Sequence, residues 1–208
     1  MGPGLDEAEI ALGLPLRSAH NLMRAVSGIE VALWDLAGKV LDAPTTTLLG
    51  GKFRDRVRVY DHAGPKNALD KAACKDWAQR LNAHPSGFTA HKFGFPRTSN
   101  DNARDPSIRV LTTKALVDIR RGFENCREAC GWDHDMMVHC HWEYDVRTAI
   151  QMADAVESSR PLWLEDPLTV DYSASWRRLC ANSRVPICTG ENLARRELVG
   201  IDGSPVAA

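Results

Sequence analysis

One histidine and two glutamates in this chain have types and spacings suited to holding a metal ion. The apolar run Met136–Val138 delivers His139 and His141, and residues two apart on a strand project to the same face. Twenty-six residues after His139 stands Glu165, at the end of Pro161–Leu164, and twenty-six further on stands Glu191, just after Val185–Cys188. A strand, a crossover helix and their loops take about thirty residues. His139, Glu165 and Glu191 are thus expected at the carboxyl ends of three consecutive β–α units. There they would sit side by side on the rim of a parallel barrel, the face where such barrels keep their chemistry. The arrangement reads as a metal site.

The elements needed to position these groups are visible along the chain. Ala25–Leu41 has helical periodicity (Val26, Ile29, Leu33, Leu36, Val40), with Gly38 inside it for close packing, and Pro44 starts a short second helix ended by Gly50-Gly51. Strands are predicted at Val57–Tyr60, Phe88–Phe93, Met136–His139, Leu162–Leu164 and Val185–Cys188. Between and after them, helices are predicted at Asn67–Ala83, Ile108–Ala129, Val146–Ser158 and Tyr172–Asn182. Residues 96–106 form a polar loop too long for a plain connection. Strand and helix alternate five times, which argues for a parallel α/β sheet with its strands adjacent in sequence order. The expected fold is a partial (β/α) barrel of about five of the eight units, and the fifth strand would be an open edge. After Glu191 the strand pattern stops, and the chain reads as truncated.

Composition narrows the function. The 208 residues carry 26 Lys+Arg against 27 Asp+Glu, so nothing draws the protein to nucleic acid or an anionic membrane. No apolar stretch approaches the roughly twenty residues of a membrane span, and the acidic N-terminus lacks a signal-peptide pattern. The six cysteines, with no CxxC pair, read as reduced core thiols of a cytoplasmic protein. Cys140 is expected in the core and Trp142 on the barrel rim.

The residues also carry a resemblance. Ser27–Lys39 (SGIEVALWDLAGK), followed by Leu48-Leu49-Gly50-Gly51, resembles the end of the capping domain in the enolase superfamily, in the branch of mandelate racemase and muconate lactonising enzyme. Trp163-Leu164-Glu165-Asp166-Pro167 and Thr189-Gly190-Glu191-Asn192 look like the second and third metal-ligand motifs of that branch. His139-Cys140-His141 with Tyr144-Asp145 is most similar to the mannonate- and gluconate-type acid-sugar dehydratases. In those the strand ends in Asp-x-His, the Asp binding Mg²⁺ and the His acting as acid or base. His141 matches that histidine, whereas His139 stands in place of the aspartate. Lys92 falls near the lysine motif of the racemases, although Lys92-Phe93-Gly94 departs from Lys-x-Lys.

The resemblance implies a division at residue 51. Residues 1–51 would be a remnant of the capping domain and 52–208 an incomplete enolase-like barrel domain. It implies a Mg²⁺-dependent hydro-lyase acting on a small sugar acid, with His139, Glu165 and Glu191 as metal ligands. His141 would protonate the leaving β-hydroxyl, and Lys92 would be the base or a cation orienting the substrate carboxylate. Imidazole at 139 removes one negative charge, so Mn²⁺, Fe²⁺ or Zn²⁺ gain relative to Mg²⁺. With a departed ligand, a wet site and missing units, activity is expected to be weak or lost. Rivals are a non-catalytic fragment of the same superfamily, a racemase or epimerase of that superfamily, and an amidohydrolase-type metal hydrolase. The hydrolase fits poorly, because its His-x-His belongs on the first strand and no histidine follows His141. A homo-oligomer remains open.

Overall fold

The computed structural model describes residues 16–94, 110–141, 144–169 and 173–191. The chain divides into two compact units, Met1–Arg58 and Val59–Ala208. In the first, helix α1 (Leu16–Val40) and the short α2 (Thr45–Leu48) are joined by a tight turn at residues 41–44 that packs back against Gly38 in the last turn of α1. A Cβ there would lie 2.9 Å from the Ala43 carbonyl oxygen, so only glycine lets the chain fold back so closely.

The second unit holds four strands, β1 (Ala90–Phe93), β2 (Asp135–His139), β3 (Leu164–Glu165) and β4 (Ile187–Cys188), paired in that order and all parallel. Helices α3 (Lys71–Ala83), α4 (Thr113–Cys130), α5 (Val146–Val156) and α6 (Ala174–Asn182) alternate with them. This is the parallel, partial-barrel α/β architecture expected from the alternation. The first expected strand is corrected: Val57–Tyr60 forms no strand, and only Asp61 bridges to β1, with Asp61 N donating to Ala90 O and Lys92 N to Asp61 O. Val59 and Tyr60 have the residue types of a strand, but pairing rather than propensity makes one. Helix α1 begins earlier than the expected Ala25 and α5 at Val146 as expected, whereas α3, α4 and α6 begin later than periodicity suggested, where side chains cap them. Asp70 takes the Ala72 N–H, Thr112 that of Ala115 and Ser173 that of Ser175. The 96–106 loop, Ile108, Trp142 and Tyr172 lie outside the described residues.

Strand alternation separates core from site. His91 and Phe93 face the helices, where both rings meet Trp77 edge-on and Phe93 stacks on Phe123 at 5.1 Å. Met136, Val138 and Leu164 join the same buried cluster. The intervening residues Lys92, His139 and Glu165 project to the other face. All six cysteines are free, with Cys74, Cys126, Cys130 and Cys140 buried and Cys180 and Cys188 partly exposed.

Arg127, buried near the end of α4, holds the loops at the far end of the sheet. Its guanidinium donates to the carbonyls of Gly131 (2.7 Å), His134 (2.6 Å), Ser159 (3.0 Å) and Arg160 (3.4 Å). Arg127→Met keeps the apolar stem but leaves these carbonyls unpaired, an expected loss of about 2–4 kcal/mol. Urea unfolding measures it, and a loss under about 0.5 kcal/mol would contradict this role.

Candidate metal centre

The register of the sheet sets the site. His139 and Glu165 are direct partners across β2 and β3, and both stand at the carboxyl ends of their strands. Glu165 in turn pairs with Cys188, so Glu191 lies three residues beyond that register. The loop through Gly190, whose φ of 136° suits glycine, brings Glu191 back toward the other two. Ligand atoms of His139, Glu165, Asp166 and Glu191 all lie within 4.8 Å of one another. Two ligands across an ion with bonds of about 2.0–2.3 Å are about 4–4.6 Å apart, so the cluster matches one ion in size.

His139 is 7% exposed, and neither imidazole nitrogen has a hydrogen-bond partner. Burial, then the neighbouring His141 and Lys92, push its pKa down to about 4 against the opposing pull of Glu165. At neutral pH the ring is uncharged and keeps a lone pair for a metal. The exposed His141 ring stacks on it at 3.8 Å, nearly parallel, and His62 stands 5.9 Å away on the bridge segment. Gly94 makes room, since a Cβ there would lie 3.1 Å from the His139 carbonyl oxygen and 3.6 Å from His141 Cε1.

Glu165 is held on both oxygens. Lys92 Nζ donates to Oε1 at 2.6 Å, and Trp163 Nε1 donates to Oε2 at 2.9 Å. The ammonium is also 3.9 Å from Glu191 and 5.3 Å from the centre of the Tyr60 ring, which packs edge-on against Trp163. Burial pulls the Lys92 pKa down, but its bonds to Glu165 and the nearby Tyr60 more than offset this and hold it above the ordinary lysine value. Lys92 is therefore a charged donor rather than a proton acceptor at neutral pH, which favours the carboxylate-orienting role over that of base.

The residue that sequence reasoning passed over is Asp166. In a continuing strand it would point away from Glu165, yet its left-handed backbone (φ 47°) turns the carboxylate to the same place. It is fully buried and lacks a well-formed hydrogen bond. Burial raises its pKa, the Thr189 hydroxyl and Gly190 N–H work against that, and Glu191 and Glu165 add to the rise. The only signal in the sequence was its place beside Glu165. Together these groups offer a neutral imidazole and three carboxylates, with orphaned buried atoms on His139 and Asp166, a donor set that fits a divalent cation.

The family model described as "Enolase C-terminal domain-like" matches residues 73–199, and the one described as "Mandelate racemase / muconate lactonizing enzyme, N-terminal domain" matches residues 2–50. The chain is 33% identical over 176 residues to a D-xylonate dehydratase of Haloferax volcanii, covering 85% of this chain and 42% of that protein. It is 33% identical over 182 residues to a D-galactonate dehydratase of Ralstonia nicotianae, covering 86% and 44%. The crystal structure of a mandelate racemase/muconate lactonizing enzyme from Sulfitobacter sp. superposes with a TM-score of 0.70 at 26% identity, covering 86% of this chain and 45% of that one. The chain thus spans less than half the length of these relatives. No described helix is long and apolar enough to cross a membrane.

A pH dependence follows from the histidines. Burial, then His134, lowers the pKa of His91 against the pull of Asp61, and His139 is lowered to about 4. Below their ordinary value near 6.5 the unfolded chain binds protons that the folded chain refuses. Stability of the EDTA-treated protein is therefore intact above about pH 6.5 and falls as the pH drops, for His139 down to about pH 4. Urea midpoints at stepped pH of Asp166→Asn protein, which lacks the opposing effect of that acid's raised pKa, measure this, and a midpoint that rises on acidification across that window would contradict it.

Proposed function

As a member of the enolase superfamily, in its mandelate racemase/muconate lactonizing enzyme branch, this chain, we propose, carries the metal-binding part of an acid-sugar dehydratase. The convergence of His139, Glu165 and Glu191 on one point at the carboxyl end of a parallel sheet is the observation that carries the reading. The names of the similar xylonate and galactonate dehydratases support a small sugar acid as the substrate class. Residues 1–51 then correspond to the capping domain and 52–208 to the barrel domain.

In this reading His139, Glu165 and Glu191 hold a divalent ion, and the imidazole at 139 raises Mn²⁺, Fe²⁺ or Zn²⁺ relative to Mg²⁺. When bound there, such an ion would supply electrostatic stabilisation of the charge that develops on the substrate carboxylate as the α-proton is removed. Lys92 presents an ammonium to the same carboxylate, and Trp163 keeps Glu165 turned toward the site. His141, exposed on the rim beside His139, would take the α-proton and return it to the leaving β-hydroxyl, which departs as water.

The test is an assay of the full chain against pentonic and hexonic acids with Mg²⁺ or Mn²⁺, detecting 2-keto-3-deoxy acids. The expected result is product that vanishes with EDTA, formed at well under 1 s⁻¹, below the usual enzyme range of roughly 1–10³ s⁻¹. His141→Asn should lower that rate by about 10²–10⁴. Product formed equally with EDTA, or an unaffected His141→Asn variant, would refute these roles.

A further inference from the structure

Two acids stand side by side at the end of β3, Glu165 its last residue and Asp166 the next, and the protein treats them differently. Resting on the metal reading above, we propose that Asp166 is itself a ligand of the ion, a fourth one beside His139, Glu165 and Glu191. Glu165 already has a donor on each oxygen, Lys92 on Oε1 and Trp163 on Oε2. A carboxylate has about four lone-pair sites, so Glu165 keeps room for a metal bond, but it does not depend on one to be satisfied. Asp166 has no exposed surface, and neither oxygen makes a well-formed hydrogen bond. A buried carboxylate in that condition is tolerated as an anion only beside a cation. The cation already present, Lys92, is committed to Glu165.

The other orphaned group is on the facing side of the same space. Both nitrogens of His139 lack partners, and an atom of each lies within 4.8 Å of the other and of Glu165 and Glu191. The backbone turn at Asp166 places it there, because a regular strand would send consecutive side chains to opposite faces. Charge gives the reason. With a neutral imidazole at 139, Glu165 and Glu191 bring two negative charges, and the Lys92 ammonium beside both cancels one. Asp166 restores the anionic character that a divalent ion needs and that His139 withholds.

The experiment uses the full chain, stripped with EDTA and titrated with Co²⁺ and Mn²⁺ by calorimetry, with the visible absorption of Co²⁺ reporting the ligand set. Asp166→Asn is isosteric and removes only the charge, so the metal-free variant should melt at or above the wild-type temperature. It is expected to raise the Co²⁺ Kd at least about tenfold and to change the Co²⁺ spectrum, as loss of even an indirect ligand contact does to affinity. An Asp166→Asn variant with wild-type Kd and spectrum, while Glu165→Gln weakens binding, overturns this inference and leaves the metal reading standing. A folded wild type that binds neither ion overturns both. A measurement free of variants covers loss of folding. In protein labelled at the aspartate carboxyl carbon, substoichiometric Mn²⁺ should bleach one resonance ahead of the rest, and uniform loss of all of them overturns the assignment.

Discussion

Main-chain register between β2 and β3 is the constraint from which the site follows. Once Val138 pairs with Leu164, His139 must stand beside Glu165 on the face away from the helices. The same pairing buries Met136, Val138 and Leu164 against the helices on the other face. A slip of one residue would exchange the two sets, placing an imidazole and a carboxylate in the apolar core. The core therefore specifies the register, and the register specifies the site.

Concentrating acids at one end of a sheet is costly without cations, and the surrounding groups respond to that cost. Lys92 comes from the neighbouring strand β1 on the same face, so its ammonium reaches Glu165 and approaches Glu191. Trp163, two residues before Glu165, bonds its second oxygen, and Tyr60 braces the indole. The single bridge at Asp61 has a purpose in this setting, because it fixes the segment that carries Tyr60 and His62 to the rim.

Behind the sheet, His91 shows the same residue type with one ring nitrogen partnered. Its Nε2 is 2.9 Å from Nδ1 of His134, which bonds Asn82, and Asp61 stands on its other side at 3.8 Å. This histidine is built into a polar chain between β1 and the helices. His139 has only orphaned nitrogens. Partners, not burial alone, separate a structural imidazole from one left free for a ligand.

Much of this was open to a reader of the sequence. Alternating apolar runs and helical periodicities follow from local geometry, so the parallel sheet and its strand order could be read directly. The even spacing of His139, Glu165 and Glu191 reports the length of a β–α unit, and their meeting in space was legible for that reason. Three matters depended on the folded chain. Val59 and Tyr60 look like strand residues, but hydrogen-bonded pairing, which propensity does not determine, begins only at Asp61. Lys92 has no intrinsic role, and its bond to Glu165, 73 residues away, keeps it charged despite burial. Asp166 belongs, by strand alternation, to the face opposite Glu165. One backbone dihedral in the left-handed region brings it into the site instead, and that angle is set by the turn after β3 and its bond to Cys188 rather than by the side chain.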